Sequence, residues 1–98
     1  MRPAEVYSTQ YIFHCILMPK LNNDSKKKAL RARLARVEGQ LRGVQRLIEL
    51  DADCEEVAQQ LSAARKALDK AFYNMVGCVI EQGDFPAHRV ATLLAKFA

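Results

Sequence analysis

The sequence predicts an all-α protein, and three observations support this prediction. The 98 residues include only four glycines and three prolines, which argues against a β fold with many turns. Two long segments carry apolar residues at alternating steps of three and four, the spacing that forms one stripe along a helix. A shorter segment of the same kind follows near the C-terminus. We therefore expect one domain whose protomer has two long antiparallel helices and a short C-terminal helix.

The first long helix is predicted to begin in the polar cluster at 22–25, because Asn, Asp and Ser side chains cap helix N-termini. Its apolar residues repeat with a heptad spacing, which is typical of helices that pack along their length. This stripe consists of Leu30, Leu34, Val37, Leu41, Val44 and Ile48.

The second long helix is predicted to begin after Asp53, which can cap it, with Glu56 completing a capping box. It should run to about Gln82, because Gly83 is a typical helix-terminating residue. Its stripe consists of Cys54, Val57, Leu61, Ala64, Leu68, Ala71, Met75 and Val79.

The third helix is predicted to begin at residues 84–86 and to carry apolar side chains at Val90, Leu93, Leu94 and Phe97. The second helix is longer than a three-helix protomer of this size requires. Its ends should therefore pack on another chain, and an antiparallel four-helix-bundle dimer core is the simplest arrangement that achieves this.

Residues 1–20 do not continue the helical pattern, and we interpret them as an N-terminal extension preceding a helical domain at 21–98. The apolar run from Tyr11 to Met18 is shorter than the roughly 20 residues that span a bilayer. It also lacks the features of a secretory signal, so no membrane partner is expected. Met18 is our preferred natural start, and Met1 the alternative.

Charge is distributed unevenly along the chain. Between residues 26 and 46 there are eight basic residues and one acid, whereas residues 49–56 contain five acids and no base. A concentrated positive field most often binds phosphates. The alternatives are a solvated helix face, a nonspecific nucleic-acid binder, or an interaction module that meets an acidic protein. Three unpaired cysteines favour a reducing, cytoplasmic location.

Three motifs carry a resemblance to a known family. They are RLARVEGQLRGVQRLIE at 33–49, the cysteine at 54, and VAQQLSAARKAL at 57–68. Together they resemble the CsoR/RcnR/FrmR family of small bacterial repressors over about residues 25–83. The resemblance implies helical dimers that pair into tetramers and bind double-stranded operator DNA until a small inducer releases them. No arrangement of residues indicates catalysis, so an enzyme is not expected.

The resemblance also implies which residues contact DNA. Arg33 and Arg36 match basic positions of the family's first helix, and Arg65 matches the arginine of the second block. Lys26, Lys27 and Lys28 fall in the family's basic N-terminal region. Arginine forks suit phosphate oxygens, so several on a rigid surface predict salt-sensitive binding.

Cys54 matches the family's sensing cysteine. Metal-sensing members add a histidine 25 positions later and a cysteine or histidine 29 positions later, where this chain has Val79 and Gly83. Neither side chain ligates a metal. A transition-metal ion as inducer would therefore need other ligands beside Cys54, such as Cys78 and His88. No cofactor is required.

Two other inducers fit the resemblance. A reactive sulfur species would require a second cysteine, and Cys78 could supply it only if the helices pair in a shifted register. Formaldehyde would bridge Cys54 to an N-terminal proline amine, which Pro19 provides if translation starts at Met18 and that methionine is removed. The structural alternative is that Cys54 is a small core residue on the apolar stripe.

Overall fold

The computed structural model of the chain describes residues 20–98. This part forms three helices: α1 at Asp24–Glu49, α2 at Cys54–Gln82 and α3 at Ala87–Phe97. No strand occurs in the described range, so the all-α prediction is confirmed. No helix within it is long and apolar enough to span a bilayer. The expectations for Pro19 and for most of the extension at 1–20 fall outside the described residues.

Both ends of α1 are fixed by local hydrogen bonds. At its start, Asn23 is the N-cap, and its Oδ1 accepts a bond of 3.0 Å from the Lys26 N–H, as predicted. At its end, the Ala52 N–H donates to the Leu47 carbonyl at 3.0 Å and the Asp51 N–H donates to the Ile48 carbonyl at 3.2 Å. This pair of bonds defines a Schellman motif. It places Asp51 in the left-handed region with φ 57°.

Replacing Asp51 with glycine should stabilise the protein by about 0.5–1 kcal/mol, because glycine adopts a left-handed conformation without a Cβ clash. The melting temperature should rise by about 2–6 °C, measured by circular dichroism at matched protein concentration. Asp51→Ala is the control, and it should melt lower than the wild type, because alanine keeps the steric conflict and lacks the polar side chain that helps Asp adopt the left-handed conformation. A lower melting temperature for Asp51→Gly would contradict this account of the turn.

α2 begins and ends where the sequence predicts. The Asp53 Oδ1 accepts a hydrogen bond of 2.8 Å from the Glu56 N–H, which caps the first turn. At the other end, Gly83 has φ 79° and terminates the helix. The 29 residues of α2 make it about 43 Å long at 1.5 Å per residue.

Residues 23–78 form one compact unit that contains α1 and most of α2. Only two residues of each predicted stripe are buried in it. Val37 and Val44 of α1 and Ala64 and Ala71 of α2 are at most 5% exposed. The intervening large residues remain open to solvent in the single chain: Leu34, Leu41, Ile48, Leu61 and Leu68. Each helix has only one neighbour in this unit, which covers one side of its stripe and leaves the other side exposed.

Among the described residues, 20–22 and 79–98 belong to a second unit. Here Gln82 joins two segments, since its Oε1 accepts from the Asn22 N–H at 3.0 Å and its Nε2 donates to Asp84 Oδ1 at 3.1 Å. Phe85 and Val90 are buried, whereas Phe97, expected on the apolar face of α3, is 62% exposed. The bond to Asn22 spans 60 positions of sequence and could not be predicted from local pattern.

Candidate nucleic-acid interface and effector site

Arg33 and Arg36 lie on one flank of α1. Successive side chains of a helix are rotated by about 100° around its axis. Arg33 is therefore rotated by about 40° to one side of the buried Val37, and Leu41 by about 40° to the other side. Arg36 is a further 60° or so beyond Arg33, and it is exposed, whereas Arg33 is half-buried. The flank that carries these two arginines is therefore separate from the side of α1 that exposes Leu41.

The guanidinium groups of Arg33 and Arg36 have no hydrogen-bond or ion-pair partner among the described residues. An unpaired guanidinium keeps its donors available for an external anion. Lys26 differs, because it is half-buried and takes part in an interaction of its own. The arginines are therefore better placed than Lys26 to contact phosphate.

A second basic area lies on the N-terminal part of α1. Exposed Lys27 and Lys28 border a shallow groove together with Arg31, at whose edge Asp24 and Glu38 also lie. Arg31 was not among the residues predicted to bind DNA. Its spacing of four from Lys27 puts the two side chains on the same helix face, and that spacing could have identified it.

Arg65 occupies a different place from Arg33 and Arg36. It lies on the rim of an apolar groove between α1 and α2, next to Leu41, Leu61 and Leu68. Within a single chain, the structure does not bring the three predicted DNA-contacting arginines together on one face. Arg33 and Arg36 share a flank of α1, whereas Arg65 lies at the apolar groove between α1 and α2.

Cys54 is the first residue of α2 and is exposed. It lies seven positions before Leu61, so it shares the open side of α2 with that leucine. The alternative of a packed core cysteine is therefore wrong for the protomer. Asp53, Glu55 and Glu56 are neighbours of the thiol in sequence, and carboxylates attract cations.

A single chain does not hold a complete metal site among its described residues. No three His, Cys, Asp or Glu side chains in the described range are close enough to share an ion. Cys54 and Cys78 lie 24 positions apart on α2, a separation of about 36 Å along the helix. Cys78 is half-buried, and His88 is exposed in the first turn of α3. Among the described residues, a single chain therefore supplies fewer than three such ligands to a metal ion at Cys54.

Comparison with known proteins places these features in a family. Residues 26–83, more than half of the chain, match the metal-sensitive transcriptional repressor family. No solved structure gives a significant match to the chain.

Three curated relatives are similar to part of the chain. The chain is 48% identical over 44 residues to the copper-sensing transcriptional repressor RicR of Mycobacterium tuberculosis, covering 45% of this chain and 46% of the relative. It is 43% identical over 47 residues to the copper-sensing repressor CsoR of that species, covering 48% and 40%. For CsoR of Bacillus subtilis, identity is 40% over 50 residues, covering 49% and 50%.

The chain thus spans about half the length, or less, of these relatives. The matched region contains α2 with Cys54 and nearly all of α1 with its arginines. The chain belongs to the metal-sensitive transcriptional repressor family.

Proposed function

We propose that the protein is a DNA-binding transcriptional repressor that releases its operator when an inducer acts at Cys54. The observation that carries this proposal is the pair of guanidinium groups at Arg33 and Arg36, which lie on one flank of α1 and have no partner in the described part of the chain. Family membership supports the same function, since the curated relatives are named as transcriptional repressors rather than enzymes.

The basic residues would bind the phosphate backbone of the DNA duplex. Each guanidinium offers a planar fork that fits phosphate oxygens, and α1 fixes the separation between Arg33 and Arg36. Contacts of this kind set the position of the protein on DNA and release counterions from it. The area around Lys27, Lys28 and Arg31 adds positive charge further along the same helix.

A second copy would complete the repressor. The exposed leucines of α1 and α2 repeat at seven-residue intervals, which is the spacing of helices that pack lengthwise on other helices. If two copies paired through the side that exposes these leucines, the apolar groove would be buried. The pair would then have two flanks that carry Arg33 and Arg36, one from each copy. A dimer, and a tetramer built from it, would then contact DNA through several flanks at once.

Chemistry at Cys54 would act through that interface. Because Cys54 shares the open side of α2 with Leu61 and Leu68, a ligand bound there would alter how two copies pack. The inducer lowers DNA affinity only if it binds the DNA-free arrangement more tightly than the DNA-bound one.

Among the inducers considered, a soft metal ion has the most support. The relatives are named as copper-sensing. In addition, the exposed Cys54 thiol has acidic neighbours in sequence, whose carboxylates attract a cation. Formaldehyde chemistry would depend on Pro19, which lies outside the described residues. Sensing of reactive sulfur would need a second thiol beside Cys54. Within one chain Cys78 is about 36 Å away along α2, so this thiol would have to come from a second copy.

A gel-shift titration tests the proposal with the DNA upstream of the protein's own coding sequence. We expect a discrete complex that survives competitor DNA and weakens steeply with salt, by about 0.9 log units in affinity per tenfold rise in salt for each phosphate contact. Equal binding to any duplex would support a nonspecific binder instead. Absence of binding at low salt would support a protein-interaction module and refute the repressor.

A further inference from the structure

The flank of α1 that carries Arg33 and Arg36 continues through Gln40 and Gly43. These four residues follow one another at steps of three, four and three positions, which keeps them on one side of the helix. Relative to the buried Val37, Gln40 is rotated by about 60° toward the side of Arg33, and Gly43 by about 120°. The row thus consists of two guanidinium groups, one neutral amide and one position without a side chain.

This row faces away from both apolar sides of α1. The buried Val37 and Val44 mark the side that packs on α2. Leu41, on the open apolar side, is rotated by about 40° from Val37 in the opposite direction from the row. Gln40 and Gly43 are therefore about 100° and 160° away from Leu41, and both are exposed. Covering the exposed leucines would leave the row accessible.

The packing of the described residues does not require a glycine at position 43. A Cβ added to Gly43 would meet no atom within 4 Å. In the interior of a helix, glycine is less stable than alanine because it loses more backbone freedom on folding. A molecule outside the chain that approaches α1 closely would account for the missing side chain.

The charge of the row indicates that this molecule is a DNA duplex. Arg33 and Arg36 have no partner among the described residues, so their guanidinium groups attract a polyanion. A helix with its side chains is about 10–12 Å in diameter, and the major groove of B-DNA is about 12 Å wide. α1 therefore fits this groove, and the bare surface at Gly43 lets it lie deeper there.

Gln40 is the side chain of the row that suits a base better than a phosphate. Its amide is neutral, so it binds a phosphate less strongly than a guanidinium does. The amide offers a donor and an acceptor side by side, which match the N6 amino group and the N7 atom of adenine. Like the two arginines, Gln40 has no partner in the described part of the chain. Its side chain is shorter than that of arginine, so it reaches a base edge only where α1 lies deep in the groove.

We propose that Gln40 is a specificity-determining residue, which reads an adenine in the major groove of the operator while Arg33 and Arg36 bind phosphates. Gly43 allows the close approach that this contact needs. The inference rests on the proposed function as a repressor. It deepens that function from binding DNA to discriminating its sequence.

A comparison of two duplexes tests the role of Gln40. One is the DNA upstream of the protein's own coding sequence, and the other is a scrambled sequence of equal length and composition. Gln40→Ala should lower affinity for the first by about 5–150-fold, the value of one bidentate base contact, and leave affinity for the second unchanged. The salt dependence of both complexes should stay that of the wild type, because no phosphate contact is lost.

Gln45→Ala is the matched control. Gln45 is an exposed glutamine of the same helix, rotated by about 140° from Gln40, and its removal should leave both affinities unchanged. An equal loss on both duplexes in Gln40→Ala, or an equal loss of operator affinity in Gln45→Ala, overturns the proposal.

Substitution of the DNA identifies the partner base. 7-Deazaadenine lacks the N7 acceptor and is placed at one adenine of the upstream DNA at a time. At one or more positions it should weaken binding of the wild type and have no effect on Gln40→Ala. If every substitution affects both proteins equally, Gln40 does not read adenine.

Gly43→Ala tests the close approach. It should raise the melting temperature by about 3–8 °C, because alanine is the better helix former, and yet weaken the operator complex by the same factor as Gln40→Ala. Adding it to Gln40→Ala should weaken binding little further. Gly77→Ala is the control, since an added Cβ there also meets no atom within 4 Å, and it should keep operator affinity. A more stable Gly43→Ala protein with wild-type operator affinity overturns the close approach.

Failure of this inference is distinguishable from failure of the proposed function. A discrete operator complex that Gln40→Ala leaves unchanged would overturn the reading of adenine and leave the repressor standing. If the wild type itself forms no operator complex, both are refuted.

Discussion

Replacing both Arg33 and Arg36 with alanine should lower operator affinity by about 100-fold or more. Each arginine would donate charge-assisted hydrogen bonds to the operator worth about 1.5–3 kcal/mol, and neither has another partner among the described residues. The loss should be seen as a shift in the gel-shift midpoint at constant salt. The dependence of affinity on salt should also flatten, because fewer counterions are released.

Arg42→Ala is the matched control for this pair. Arg42 is an exposed arginine of the same helix, nine positions from Arg33 and therefore about 180° around α1. Its removal lowers the net charge by the same amount per residue as Arg33→Ala, but from the opposite side of the helix. Affinity should change little. An equal loss in Arg42→Ala would show that total charge, rather than one flank, binds DNA.

Replacing Cys54 with alanine should leave operator binding nearly intact and remove the response to inducer. In the wild type, Cu(I) should weaken the operator complex by about 5–150-fold, the usual range of coupling between two ligands. In Cys54→Ala, the same Cu(I) concentration should cause no shift. The measurement is a gel-shift titration with and without Cu(I), kept anaerobic throughout.

A second substitution separates thiolate chemistry from packing. Cys54→Ser nearly preserves the size of the side chain but supplies no soft ligand, so it should behave like Cys54→Ala. Because Cys54 is exposed in the protomer, neither change should unfold the chain, and circular dichroism checks this. A Cys54→Ser protein that still releases DNA on addition of Cu(I) would remove this thiol from the mechanism.

The sequence alone was sufficient to locate the helices. Asn23 and Asp53 accept hydrogen bonds from backbone groups three residues further on, and Gly83 adopts its left-handed conformation at the end of α2. Interactions of this range depend on neighbouring residues only, so pattern rules capture them. The motifs around Arg33 and Cys54 likewise identified the family before any geometry was known.

Only the tertiary structure decided which apolar residues are buried. The heptad spacing assigns Val37 and Leu41 alike to the stripe, yet Val37 is 4% exposed and Leu41 39%. Each stripe consists of two parallel rows of residues spaced seven apart along the helix. The one neighbouring helix covers only one of these rows. The contact between α1 and α2 also set Arg65 on the rim of the apolar groove, apart from Arg33 and Arg36. Such choices depend on which faces of two distant segments meet, and residue spacing within one helix does not contain that information.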